Sequence, residues 1–357
     1  MNKALLLSGL TAFVTAHVSA GTVTTDGPDI VISTKPGLSV KTADDKYSFG
    51  IGGRIMWDYN RAELNGEADE NELSVRRARL AFTGSAGDWS FKSQFNLGED
   101  GSDAGDVEDL YLRYNGWGKA AKLTIGRQRE PFGLEQLTSS NDISVLERSA
   151  ITEAYAPPRT SGVQLSGALG KSLYYGVGVF EGDGEEDRSA DKVNVTGRVA
   201  FAPLVDKGRL VHLGAAASTR LNIDVVGLEF AAVYDAFHFQ SEWQQGDVDS
   251  IDEKLDGYYL QAGWIITGES RPYKDGKFKR VKPNGSAGAW EVVFRYEDGD
   301  GNFSDIELGN VDAEAYTLGL NWYYNNNVRF GVNYTDGESN NFDNDGEEFR
   351  IRAQFVF

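Results

Sequence analysis

The chain has 357 residues, with 54 acidic against 35 basic side chains and a formal net charge of −19 at pH 7. That balance argues against nucleic acid as a partner, and the lack of cysteine is compatible with an oxidising periplasm. A mean hydropathy of −0.40 and no stretch of ~18 apolar residues past the N-terminus leave strands as the only route across a membrane.

The first segment reads as a secretory signal over residues 1–20. Lys3 supplies the positive region, Ala4 to Val18 the apolar region, and Val18-Ser19-Ala20 a small-residue cleavage site. An anchoring helix is the weaker reading, because Ser8, Thr11, Thr15 and His17 interrupt the apolar run. Residues 21–45 form a polar lead-in that holds two candidate short strands, Ile30-Val31-Ile32 and Leu38-Ser39-Val40.

From residue 46 to 357 the chain reads as amphipathic strands separated by turn chemistry, an all-β pattern. In the first strand Tyr47, Phe49, Ile51, Gly53, Ile55, Trp57 and Tyr59 share one face, with Arg54, Met56 and Asp58 on the other. Similar segments run at about 73–84, 88–97, 107–115, 120–128, 160–169, 172–180, 191–201, 209–219, 226–233, 236–245, 255–267, 287–297, 312–324, 327–335 and 347–357. The count is about 16, an even number of strands about ten residues long, as a transmembrane antiparallel β-barrel requires.

The connections alternate in kind. Short ones, such as Ser85 to Asp88, Gly170-Lys171 and Asn325 to Asn327, take turns with long acidic ones, such as Arg61 to Glu72, Asp298 to Asp312 and Asp336 to Glu348. Short periplasmic turns opposite longer external loops give a barrel this parity, and a soluble sandwich has no reason for it. Asp298-Gly-Asp300-Gly-Asn302 and Asp343-Asn-Asp345-Gly-Glu347 are rich in calcium-type ligands, yet lack the full twelve-residue loop. A solvated acidic face against lipopolysaccharide and outer-membrane lipid is the expectation, with no metal and no cofactor.

Two connections break the pattern. About thirty residues separate Gln128 from Ser161, and Leu134, Leu137, Ile143, Val145, Leu146, Ile151 and Tyr155 make this third external loop apolar. Folding inward to narrow the pore explains those residues; a lid or a contact between subunits is the alternative. Gly268 to Gly285, by parity a periplasmic turn, is too long and carries Lys274, Lys277, Lys279, Arg280 and Lys282. It is either a basic periplasmic turn or a loop entering the lumen from below.

The last strand places Phe349, Ile351, Ala353, Phe355 and Phe357 on one face and Arg350 and Arg352 on the other. Its terminal Phe resembles the insertion signal of bacterial outer-membrane barrels, so the expected location is that membrane. If the apolar faces meet lipid, the inward positions include Arg54, Arg77, Arg79, Lys92, Arg113, Lys122, Arg198, Arg295, Arg329, Arg350 and Arg352. The acidic residues of that parity are fewer: Asp58, Asp109, Glu229, Glu242 and Glu291. The lumen is thus expected to be net positive and to favour anions, unless these arginines brace the wall through ion pairs.

Many short motifs are similar to those of the phosphate-selective porin O and P family. They include Phe49-Gly-Ile-Gly-Gly-Arg54, Arg76-Arg77-Ala78, Phe132-Gly-Leu-Glu135, Thr138-Ser-Ser140, Leu146-Glu-Arg148, Arg271-Pro-Tyr-Lys274 and Gly288-Ala-Trp-Glu291, in order along nearly the whole mature chain. The resemblance implies a homotrimer of sixteen-stranded barrels with an inward-folded third loop. In the family's phosphate-specific members lysines follow Gly-Leu-Glu and Thr-Ser-Ser; here those positions hold Gln136 and Asn141. Aromatic positions of the family appear as Arg79 and Arg129.

The expected activity is passive, anion-leaning diffusion of small hydrophilic solutes, phosphate and polyphosphate among the candidates. Arg79, Arg113, Arg129, Arg148 and Arg159, with Lys92 and Lys122, are expected to form the constriction. A porin without phosphate specificity and a surface receptor or adhesin are the alternatives. An enzyme is not expected, because of the three histidines only His212 and His238 follow the signal, and neither neighbours a candidate nucleophile in a known motif.

Overall fold

The computed structural model describes residues 21–23, 29–34, 37–65, 67–98, 105–182, 193–220, 223–248, 253–303, 309–339 and 344–357. The expected signal, 1–20, and Asp343 of the second acidic run lie outside the described residues.

Twenty-one strands and two short helices make up the described chain. The lead-in contributes β1 (Gly21–Val23), β2 (Ile30–Ser33) and β3 (Leu38–Thr42). The barrel begins with β4 (Tyr47–Leu64), β5 (Glu67–Ala86), β6 (Trp89–Asn96), β7 (Val107–Tyr114) and β8 (Lys122–Arg129). The third external loop holds α1 (Leu134–Leu137) and α2 (Ala150–Tyr155). After it come β9 (Arg159–Leu169), β10 (Leu173–Glu181), β11 (Val193–Asp206), β12 (Arg209–Thr219), β13 (Ile223–Tyr234), β14 (Phe237–Val248) and β15 (Glu253–Ile265). A small hairpin, β16 (Tyr273–Lys274) and β17 (Lys277–Phe278), precedes β18 (Ala289–Phe303), β19 (Gly309–Tyr323), β20 (Val328–Ser339) and β21 (Asn344–Val356).

Sixteen of these, β4–β15 and β18–β21, pair antiparallel in chain order, and β21 pairs back onto β4 to close the barrel. Closure removes the sheet edges and satisfies every ladder position inside the sheet, which a membrane demands. Side-chain alternation is inverted relative to a soluble protein. On β11 Val193, Val195, Val199 and Phe201 are exposed, while Asn194, Thr196 and Arg198 are buried. Outward aromatics cluster near one rim, where Trp290 and Trp322 stack at 5.3 Å with Phe330 and Tyr324 beside them, as an interfacial girdle does.

Several connections read as loops in the sequence are paired strands. β4 and β5 remain paired out to Leu64↔Glu67, with register shifts after Met56 and after Ala62, β18 and β19 pair to Phe303↔Gly309, and β20 and β21 to Ser339↔Asn344. Above the membrane both faces of a hairpin meet water, so the ladder continues without apolar alternation to reveal it.

Both candidate strands of the lead-in form. β3 pairs with β4 from Leu38↔Ile51 to Lys41↔Ser48, on the same edge of β4 that β21 takes from Arg54 onward. At the junction the Gly53 N–H donates to the Phe357 carbonyl at 2.8 Å. A Cβ on Gly53 would sit 2.6 Å from the Phe357 ring and 2.5 Å from the Arg79 carbonyl, so only glycine fits there.

The packed core lies within the barrel. Leu134 of the third loop and Phe278 of the small hairpin are fully buried among Tyr174, Ala200, Ala202, Leu210, Ala231 and Val233 on the inner wall. A second cluster joins Val281 of the hairpin segment to Ile265, Ala289 and Tyr323. The chain from 268 to 285 therefore enters the lumen rather than standing free in the periplasm.

Candidate functional site

The third loop crosses the interior on a lattice of charged hydrogen bonds. Arg329 donates to the carbonyls of Ile143 and Ser144, both at 2.7 Å, and Arg295 to that of Glu147 at 3.0 Å. Arg352 donates to the Leu146 carbonyl and to both oxygens of Asp58, at 2.7 and 2.6 Å. Carboxylates of the wall accept from the loop in turn. Glu242 receives the N–H groups of Leu134 and Glu135 at 2.7 Å each, Glu297 that of Ala150 at 2.7 Å, and Glu291 the Ser144 hydroxyl at 2.8 Å.

Glu147 is the loop's principal anchor. Arg76 and Arg77 each bind it through two nitrogens, at 2.9–3.1 Å, and Arg352 reaches it as well. Burial alone would raise its carboxyl, but Arg352, Arg77 and Arg76 hold it well below the usual carboxylate range.

The interior is thereby divided. Against β10–β15 and β18 the loop and the small hairpin pack on the inner wall. On the side of β4 and β6–β9 a cavity of about 220 Å³ remains. Arg54, Lys92, Arg113, Arg129, Arg159 and Lys277 line it, with Asp109 as its one carboxylate. Tyr111, Gln128, Gln164, Ser139 and Ser140 complete the polar lining.

Among the described residues, four of those cations have no carboxylate partner. Arg54 donates to the Ser140 hydroxyl at 2.5 Å, and Arg113 to the Thr124 hydroxyl at 3.0 Å while lying over the Tyr111 ring. Arg129 meets the carbonyl and side-chain oxygens of Gln136. Lys277 is half-buried and joins no ion pair. Lys92 and Arg159 share Asp109, at 2.5 and 2.9 Å, and Arg159 also pairs with Glu108 at 2.7 Å. A small polar cavity with several guanidinium groups outside any ion pair is suited to binding an anion, because the planar fork meets two oxyanion oxygens at once.

Of the residues expected along the anion path, the cavity collects Arg54, Lys92, Arg113, Arg129 and Arg159. The others stand elsewhere for identifiable reasons. Arg77 is spent on Glu147 and Arg79 on Glu108. Arg148 holds the loop's own carbonyls, at Glu135 and Thr138. Arg198 is clamped by Glu229 at 2.6 and 2.7 Å, and Arg295 by Glu297 and Glu135. Lys122, half-buried at the start of β8, is off the lining. The inward-parity count missed the loop carboxylates Glu135 and Glu147 and the wall's Glu297, which neutralise much of the basic face. It also missed Lys277, whose basic neighbours were the one available signal.

The expected lysine positions differ as well. The Gln136 side chain donates to the Pro157 carbonyl at 2.9 Å, and Asn141 lies near Gln354 at 3.4 Å. Neither lines the cavity. Among the described residues no cluster of three His, Asp or Glu side chains is arranged to hold a metal ion.

Comparison with known proteins places this architecture. The profile of the family described as "Phosphate-selective porin O and P" matches residues 49–225 and 220–357. Porin O of Pseudomonas aeruginosa is 31% identical over 98% of this chain and 98% of its own length. Among solved structures, the anion-selective porin from Comamonas acidovorans superposes with a TM-score of 0.59 at 14% identity, covering 87% of this chain and 100% of that one. The trimer form of OmpT from Vibrio cholerae gives 0.56 at 13% identity, over 88% of this chain and 100% of that one.

Proposed function

The chain belongs to the phosphate-selective porin O and P family, and on that premise we propose that its cavity is the constriction of a passive channel for small hydrophilic anions, phosphate above all. The protein is a porin of the bacterial outer membrane that leans toward anions. One observation carries the finer reading: six basic side chains face one carboxylate in the cavity beside the third loop. Low-dielectric walls focus that charge on the path, and arginine favours tetrahedral oxyanions over cations and neutral solutes.

The test is chloride current through the purified protein in a planar bilayer, titrated with phosphate. Phosphate is expected to block the current, and Arg129→Ala or Arg54→Ala to weaken the block. Anion current without block would make it a general anion porin. The absence of any channel would favour the receptor reading.

The protein acts in this reading as a conduit rather than a catalyst. His238 lies between Glu291, at 2.7 Å, and Arg271, at 3.3 Å, and Ser144 donates to Glu291 rather than to a histidine. Among the described residues the environments of His212 and His238 hold no Ser–His pair set up for nucleophilic attack. The acidic outer rim, where Glu63, Glu314, Asp336, Glu338, Asp345 and Glu347 surround a recess, meets the lipopolysaccharide leaflet.

A homotrimer is part of the same reading, supported by wall height. β6, β7 and β8 have 8 residues each. At about 3.3 Å per residue and a tilt of ~40° they rise roughly 20 Å, short of the ~25 Å apolar band. β13, β14 and β20 have 12 residues each and clear it. Exposed Arg127 projects from the low side. A low wall of this kind suits contact with another subunit better than contact with lipid.

A further inference from the structure

We infer that Lys277 is a specificity-determining residue of the pore, carried up from the periplasmic side so that the small hairpin and the external loop together build the anion constriction. The inference rests on the anion-channel reading above and adds to it an element, a residue and a measurable signature.

The hairpin's geometry follows from its sequence. Asp275 and Gly276 both have positive φ, 53° and 75°, the two-residue turn that an Asp-Gly pair favours. β16 and β17 pair as Tyr273↔Phe278 and Lys274↔Lys277. Successive side chains of a strand point to opposite sides. With Phe278 fully buried in the apolar cluster on the inner wall, Lys277 is turned the other way and lines the cavity.

The hairpin is fastened at several points. The Tyr273 hydroxyl lies 2.7 Å from His212 Nδ1. The Gly276 carbonyl accepts from Arg198 at 3.0 Å. Arg271 donates to Gln240 at 2.7 Å and lies 4.0 Å from the Phe278 ring centre. These contacts fix the side from which Lys277 enters, so its ammonium is a built part of the cavity and not a mobile surface charge.

Lys277 is also set apart electrostatically. Arg54, Arg113, Arg129 and Arg159 share its cavity with Lys92 and Asp109, Lys279 sits on its own segment, and Arg198 holds the turn beside it. Burial first, then repulsion from Lys279, Arg198, Arg113 and Arg129, lowers its ammonium to about 7. Lys277 is therefore charged below neutral pH and discharged above it, whereas arginines stay charged throughout. The Asp142 carboxyl also feels the charge of Lys277, but no ion pair joins them among the described residues, so an anion entering the cavity can act as its direct partner.

The experiment uses the full-length protein in planar bilayers with Lys277→Met, Lys277→Arg and, as control, Lys274→Met, which removes the exposed lysine across the turn. Removing one charged hydrogen bond is expected to raise the half-blocking phosphate concentration about tenfold in Lys277→Met. Lys277→Arg is expected to keep the block, and Lys274→Met to match wild type. The second readout is chloride selectivity, measured without phosphate so that only the protein titrates. It should fall in wild type as pH rises through about 7 and stay flat in both Lys277 variants. A wild type that is not anion-selective would sink the channel reading itself. An anion-selective wild type whose phosphate block is unchanged in Lys277→Met would overturn this inference alone.

Discussion

At the scale of residues, most of the basic lining is scaffold. Inward direction was readable from period-two alternation, which is why Arg54, Lys92 and Arg113 were found from sequence. Partnership was not readable, because the partners are remote in the chain. Arg352 binds Asp58 across 294 residues, and Arg329 binds Ile143 across 186. Glu147 makes the point testable. Glu147→Gln leaves Arg76, Arg77 and Arg352 with an uncharged partner, and losing the charge of a hydrogen-bond partner at such a half-buried site costs about 1–3 kcal/mol. The variant's denaturation midpoint at neutral pH should drop accordingly, with noisier single-channel current as the loop loosens. The carboxyl's folded value is depressed, so its contribution is complete above the unfolded value of about 4.3 and fades as pH falls through the folded one. Wild type and Glu147→Gln should therefore converge in stability at strongly acid pH. A gap that persists there would place the effect elsewhere.

At the scale of elements, the strands were legible and the two intruding segments only partly so. Apolar residues of the third loop, such as Leu134, Ile143 and Leu146, marked it as buried, and all three are 2% exposed or less. The segment from Gly268 to Gly285 gave mixed signals, since six of its side chains are basic and its apolar anchors are the isolated Phe278 and Val281. A lone aromatic between lysines carries no period, and only the tertiary cluster shows where it goes. Replacing residues 271–283 by a short glycine turn is expected to raise single-channel conductance and lower anion preference, because it removes the hairpin packed on the inner wall together with Lys277. Unchanged conductance would mean that the hairpin does not occupy the conducting cross-section.

At the scale of the whole molecule, the net charge of −19 and the basic cavity are reconciled by segregation, with acidic residues around the outer recess and cations outside any ion pair in the cavity beside the third loop. The low wall adds a prediction about assembly. The chain has no cysteine, so single spin labels at Leu112→Cys on β7 and Leu318→Cys on β19, both outward and exposed in one subunit, report cleanly. In bilayers Leu318 should be accessible to lipid-dissolved oxygen and Leu112 shielded by a neighbouring subunit. Equal accessibility would argue for a monomer. In the proposed channel, the cations beside the third loop that join no ion pair set what passes. The zero-current potential of the wild-type channel under a potassium chloride gradient reads this out. Its sign is expected to be that of a chloride-selective pore, with a smaller magnitude in Arg54→Ala and Arg129→Ala; a potassium-selective potential would overturn the role given to these cations.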